Sequence, residues 1–255
     1  MQIDAIKIPG LTKLNKLVHG ISPRLGLTND NNKIELNLNP KANDWRGNSF
    51  WKDFLQSLKT SQQEPFFLSQ VHGDQIYCLD EISHSSKGGV LMGDAIISNL
   101  PNKNIAVFTA DCLPVITYDI HLNIVGVIHA GRKGTSLRIT EKTIQKMVKK
   151  YGSSPKNIVV GFGPGVGGCC YEVGVECLES FRGSYSSIER FVVANENKKY
   201  MLDLKIANHI NALDAGVLEK NIFDCDICTV CNNDLVFSHR KLDAGRTMTV
   251  VMLLP

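Results

Sequence analysis

The chain has 255 residues and a formal charge of +3, with 28 Lys and Arg against 25 Asp and Glu. That balance is too even to leave the concentrated basic stripe of a nucleic-acid binder, and no run approaches the ~18–20 apolar residues of a membrane helix. The N-terminal MQIDAIKIPGLTKL lacks the apolar stretch of a secretory signal, so export is not expected, and the eight cysteines read as reduced thiols of a cytoplasmic protein.

In chain order, the first periodic segment is 48–59, a predicted helix. Apolar runs bounded by turn residues predict strands at 65–71 (PFFLSQV), 75–79 (QIYCL), 94–99 (DAIISN), 104–110 (NIAVFTA), 113–119 (LPVITYD) and 124–129 (IVGVIH). A helix is predicted over 137–151, with Gly152 as its stop. A strand at 157–162 (NIVVGF), helices over 174–181 and 204–215, and strands at 226–230 (DICTV) and 247–254 (TMTVVMLL) complete the series. Strands interspersed with helices predict an α/β or α+β fold of mixed sheets with flanking helices, several strands being buried on both faces. No linker, low-complexity tract or repeat interrupts residues 1–255, which read as a single domain. The basic runs at 149–151 and 198–200, both KKY, read as solvated surface.

Three of these strands share a feature: a metal-ligating side chain sits where the apolar run stops or begins. These are FFLSQVHGDQ with His72, IAVFTADCLPV with Cys112, and IVGVIHAGRKG with His129. Strand ends are where α/β sheets form their crevices. Two imidazoles and a thiolate give zinc three protein ligands and leave a fourth position for water, the pattern of a catalytic site. Intervals of 40 and 17 residues are far from the local pairs that make a zinc motif specific, and a buried thiol or a hydrogen-bonded histidine is the plain alternative at each position. Gln70, Asp74, Asp111, Arg132 and Lys133 crowd the same segments and add polar and charged groups to the crevice.

Two cysteine- or glycine-rich stretches are weaker signals. Gly163, Gly165 and Gly168 satisfy G-x-G-x-x-G after a strand, but the helix and distant acid of a dinucleotide site do not follow; a tight loop forming a pocket wall fits better. Cys225, Cys228 and Cys231 recur at three-residue intervals without the fourth cysteine and proline of an iron–sulfur run, and read as structural thiols. His239, Arg240 and Arg246 follow, guanidinium forks suited to phosphate or carboxylate.

QVHG (70–73), GDAIISN (93–99), TADCLPV (109–115), HAGRKG (129–134), GPGVGGCCYEVG (163–174) and CTVC followed by FSHRK (228–241) resemble the YfiH-like family, earlier described as multicopper polyphenol oxidases or laccases and now regarded as purine nucleoside phosphorylases with adenosine deaminase activity. The resemblance implies one α/β domain like that of the YfiH and deamidase-toxin group, and places the family's zinc ligands on His72, Cys112 and His129. It also implies pocket roles for Asn37 and Arg240. Two departures stand out: HAGRKG replaces the family's HAGWRG, so Arg132 stands for a tryptophan and Lys133 for an arginine, and FSHRK replaces FSYRR.

The chemistry so implied is a zinc-dependent enzyme, with copper as the other candidate metal. Adenosine, inosine or 5′-methylthioadenosine and inorganic phosphate would be its substrates, Lys133 and Arg240 would hold phosphate, and Asp111 would move a proton. Three other readings stay open: a metal-independent cysteine hydrolase using Cys112 and His129, a copper-dependent phenol oxidase, and a non-catalytic zinc or nucleoside-binding module.

Overall fold

The computed structural model describes residues 1–41, 49–82, 91–197 and 199–255. Its principal elements are β1 (Leu17–Ile21), α1 (Phe50–Ser57), β2 (Ile76–Cys78), β3 (Ala95–Ser98), β4 (Ile105–Thr109), β5 (Leu113–Asp119), β6 (Ile124–Ala130), α2 (Arg132–Ser136), α3 (Ile139–Tyr151), β7 (Ile158–Phe162), α4 (Leu204–Asp214), β8 (Ile222–Asp224) and β9 (Thr247–Leu253). Six strands form a mixed sheet in the order β8-β7-β5-β6-β3-β2, parallel at its two outer pairs and antiparallel inside. A second, antiparallel sheet has the order β1-β9-β4.

Every residue of β4, β5, β6 and β9 is buried, because each sheet is covered on both faces. Between the sheets, Ile96, Ile116, Val125 and Val127 meet Ile105, Val107 and Val251. On the far side of the large sheet, Ile97, Val115 and Ile128 pack against Ile139, Ile144 and Met147 of α3 and Ala212 of α4. Beyond the small sheet, Ala106, Phe108, Met248 and Val250 pack against Trp51, Phe54 and Leu55 of α1. The layering is helix, sheet, sheet, helix. Continuous apolar runs, rather than alternating ones, are what doubly covered strands require.

The predicted strand at 65–71 is not formed. Phe66 bridges Ile105 and Ser69 bridges Met92, and just beyond them the Gln70 side chain takes the place of a strand: its amide donates to the Phe108 carbonyl at 2.7 Å and accepts from the Phe108 N–H at 2.8 Å. The segment 226–230 is likewise no strand; pairing with β7 belongs to β8, just upstream. The helix expected over 137–151 forms as α3 from Ile139, with Arg138 at a φ of 63° separating it from the short α2, which was not expected; Gly152, at φ 75°, ends α3 as anticipated. The segment 174–181 is a 3-10 turn (Val175–Cys177) and one short helix (Glu179–Arg182). The helix over 204–215 forms as α4, its start capped by Asp203 accepting from the Ile206 N–H. Of the predicted positions, Asn48 and Lys198 lie outside the described residues. Among the described residues no helix is long and apolar enough to cross a membrane.

The hairpin of β5 and β6 sets the register that matters. Leu113 lies opposite Ala130 and Pro114 opposite His129, so Cys112 meets the turn that follows β6. Gly126 faces Thr117 in the same ladder, and a Cβ on Gly126 would lie 2.5 Å from the Thr117 hydroxyl. Gly126→Ala is therefore expected to cost about 1–3 kcal/mol, read as a lowered midpoint in urea unfolding with unchanged slope.

Candidate metal centre

His129 ends a fully buried strand and is itself 2% exposed. Its backbone N–H donates to the Asp94 carbonyl at 2.7 Å, the last rung between β6 and the start of β3. Asp94 then turns its carboxylate to the same residue: His129 Nδ1–H donates to Oδ1 at 2.7 Å. The other ring nitrogen is turned toward Cys112, the arrangement in which a carboxylate orients a metal-binding imidazole.

The same carboxylate holds the second histidine. The N–H groups of Val71, His72 and Gly73 donate to Asp94 at 3.3, 3.0 and 2.7 Å, gathering three successive amides around one anion. His72 adopts a left-handed φ of 58°, a conformation that histidine tolerates better than most residues. Its ring meets that of His129 edge to face, centroids 4.8 Å apart. Burial works against charge on Asp94, but His129 and the Gly73 and His72 amides hold the carboxyl below its usual range.

Cys112 completes the group. The ligand atoms of His72, Cys112 and His129 all lie within 4.8 Å of one another. A Cβ on Gly131 would sit 3.0 Å from the Cys112 sulfur and 3.0 Å from His72 Cδ2, so the turn after β6 must be glycine for the three to converge. Soft and borderline donors, one of them oriented by a buried carboxylate and another exposed to solvent, fit a borderline divalent ion such as zinc with one face open. With no cation between them the side chains perturb each other. Burial disfavours the Cys112 thiolate, yet the adjacent His129 outweighs it and brings the thiol down to about 6. His129 is pushed up to about 9 against its own burial, chiefly by Cys112 and then by Asp94.

Around this cluster the other expected residues divide. Asp111, at φ 83° and 7% exposed, has both oxygens engaged: Oδ1 accepts from the Thr229 hydroxyl at 2.6 Å and Oδ2 from the Arg240 N–H at 2.7 Å. Arg240 stacks over the Tyr171 ring at 4.7 Å and donates to the Glu172 carbonyl at 2.7 Å. Burial raises the Tyr171 phenol, with Arg132 and Arg240 opposing and Cys112 adding to the rise, which places all four groups in one neighbourhood. Lys133 is exposed at the start of α2. Asn37 and Gln70 both bond to backbone groups. Asn37 Oδ1 accepts from the Asn39 and Arg246 N–H groups, and Gln70 is occupied by Phe108. Asp94, Gly131, Tyr171 and Thr229 escaped the sequence reading; an aspartate directly ahead of an all-apolar strand in GDAIISN was the signal available for the first.

Residues 18–254 match the family described as multi-copper polyphenol oxidoreductase laccase. The chain belongs to this family. Among the laccase-like relatives, it is 34% identical over 223 residues to a purine nucleoside phosphorylase of Clostridium acetobutylicum, covering 86% of this chain and 88% of the relative. It is 33% identical over 188 residues to an adenosine deaminase, RL5, of an unknown prokaryotic organism, covering 71% of each. The fold is that of YlmD from Geobacillus stearothermophilus, with a TM-score of 0.86 at 24% identity over 100% of this chain and 97% of the other. The laccase description speaks of several coppers, whereas the histidine-containing cluster here offers three ligands for one ion.

Two outcomes are expected of this centre. Asp94→Asn should weaken retention of a divalent metal by about 10–100-fold in chelator competition, while His129→Ala should weaken it further. In metal-stripped protein, Cys112 should be alkylated rapidly at neutral pH and lose reactivity only as pH falls through about 6, because the lowered thiol keeps its thiolate above that point. His129→Asn should move that midpoint upward toward the ~8.5 of a free thiol.

Proposed function

We propose that this chain is a zinc-dependent purine nucleoside phosphorylase that acts on adenosine, inosine and 5′-methylthioadenosine and also deaminates adenosine. The observation that carries this reading is the convergence of His72, Cys112 and His129 on one point, with Asp94 behind both histidines and His72 open to solvent. The names of the relatives support the substrate class.

His72, Cys112 and His129 would hold the ion, and the chemistry it supplies when bound is Lewis-acid activation of a phosphate or water oxygen. The remaining work falls to the chain. Arg240 is held by Asp111 below and Tyr171 beside it, which leaves guanidinium N–H groups for phosphate in a fixed orientation. Arg132 and Lys133 open α2 directly after the ligand turn and add positive charge for the same anion; neither reproduces the flat tryptophan of HAGWRG, so Tyr171 is the aromatic surface left near the crevice. In phosphorolysis a phosphate oxygen bonds to the ribose anomeric carbon as the glycosidic bond breaks, and the purine leaves with a proton at the freed nitrogen. In deamination water adds its oxygen at C6 and ammonia departs. Asp111 is better suited to fixing Arg240 than to passing a proton, since donors already occupy both of its oxygens.

A second reading draws on a specific observation, the lowered Cys112 thiol beside His129. A thiolate–imidazole pair of this kind is the nucleophile of cysteine hydrolases. Incubation of purified protein with each nucleoside, with and without phosphate, separates the two. The expected products are free base and ribose 1-phosphate (5-methylthioribose 1-phosphate from 5′-methylthioadenosine) only when phosphate is present, and inosine from adenosine without it; His72→Ala should abolish both together with the zinc of this centre. Full activity in protein stripped of metal would overturn the zinc reading in favour of the thiol.

A further inference from the structure

A second group of potential ligands lies away from the histidines. Cys169 and Cys170 belong to the glycine-rich loop after β7, and Cys228 and Cys231 to the segment after β8, some sixty residues on in the chain. The folded structure brings all four sulfurs within 4.8 Å of one another. Cys169 and Cys170 are 3.6 Å apart, Cys169 and Cys231 3.8 Å, and Cys170 and Cys231 3.5 Å. Four thiolates around zinc at about 2.3 Å define a tetrahedron with edges of about 3.8 Å.

The backbone is built to bring them there. Gly165 and Cys228 form a parallel bridge, with Gly165 N–H donating to the Ile227 carbonyl and Thr229 N–H to the Gly165 carbonyl. Gly167 N–H donates to the Cys228 sulfur at 3.3 Å, the kind of amide–sulfur contact that supports a thiolate ligand. A Cβ on Gly167 would stand 3.2 Å from the Cys169 sulfur and 3.4 Å from Cys228 Cβ, so a side chain there would wedge the two arms apart.

The segment also needs an anchor. From Cys225 to Leu235 only Thr229 is buried, and neither helix nor strand is formed from 225 to 238. Yet this segment delivers Thr229 to Asp111 and leads directly into Arg240. Val236 and Phe237 are buried at its C-terminal end, but between 225 and 235 too little apolar surface is buried to hold the chain by packing.

We propose that Cys169, Cys170, Cys228 and Cys231 bind a structural zinc ion, separate from the His72–Cys112–His129 centre, which staples the 225–238 segment to the glycine-rich loop and thereby fixes Thr229 and Arg240. Four sulfur ligands close the coordination shell, so the site has a positioning role and no substrate of its own. Three cysteines spaced every third residue pointed at this region, but Cys225 is not a member; it packs against the core between the sheets.

Zinc content per chain, measured on full-length protein purified under reductant, tests the proposal independently of the proposed enzymatic activity. Wild type should hold two equivalents, His72→Ala with Cys112→Ser one, and Cys228→Ser with Cys231→Ser one. Should the last variant fail to fold, the first decides: substituted with cobalt, it should show strong thiolate-to-metal charge-transfer absorption, with four thiols shielded from a thiol reagent until the metal is removed. Loss of all tightly bound metal from the His72→Ala/Cys112→Ser protein, with those four thiols freely reactive, would sink the second site and leave the first untouched. A disulfide among the four cysteines, or iron–sulfur absorption in the isolated protein, would overturn it equally.

Discussion

One buried carboxylate organises the histidine centre. Asp94 sits at the first residue before β3 and receives four donors: three amides from the turn carrying His72 and the Nδ1–H of His129. A buried anion is costly unless such donors satisfy it, and here satisfying it is what positions both histidines of the cluster. The turn at 71–73 belongs to no strand, so without Asp94 nothing in the regular structure would orient His72.

Asp94 is itself placed by the sheet. β3 pairs with β6 and β6 with β5, which lines up the start of β3, the end of β6 and the start of β5 at one edge. Asp94, His129 and Cys112 occupy those three ends. The strands are locked by apolar cover on both faces, so the end of the sheet is rigid where ligands must converge. Gly131 then permits the close approach that any side chain would block.

A second carboxylate plays a comparable part on the other side of Cys112. Asp111 joins Thr229 and Arg240 to the start of β5, linking the histidine centre to a segment with little core of its own. The four-cysteine cluster stands directly beside that contact, with Cys228 and Cys231 on either side of Thr229. The crevice is thus bounded by one wall secured through packing and another secured through polar contacts and sulfur.

The sequence alone determined the class of fold and singled out His72, Cys112 and His129, the three side chains that the structure brings together. Apolar runs without alternation mark strands buried on both sides, and His72, Cys112 and His129 each stand at the limit of such a run, a local property that needs no coordinates. Where strands are made by partners rather than propensity, the reading failed: 65–71 is apolar enough for a strand, but the Gln70 side chain occupies the edge it would have paired with. Only the tertiary structure decided that Asp94 holds both histidines, that Gln70 and Asn37 serve the backbone, and that Cys169 and Cys170 meet Cys228 and Cys231 while Cys225 does not. These are contacts between segments far apart in the chain, and pairing across such distances is fixed by strand register and loop closure, neither of which is written in any local stretch of residues.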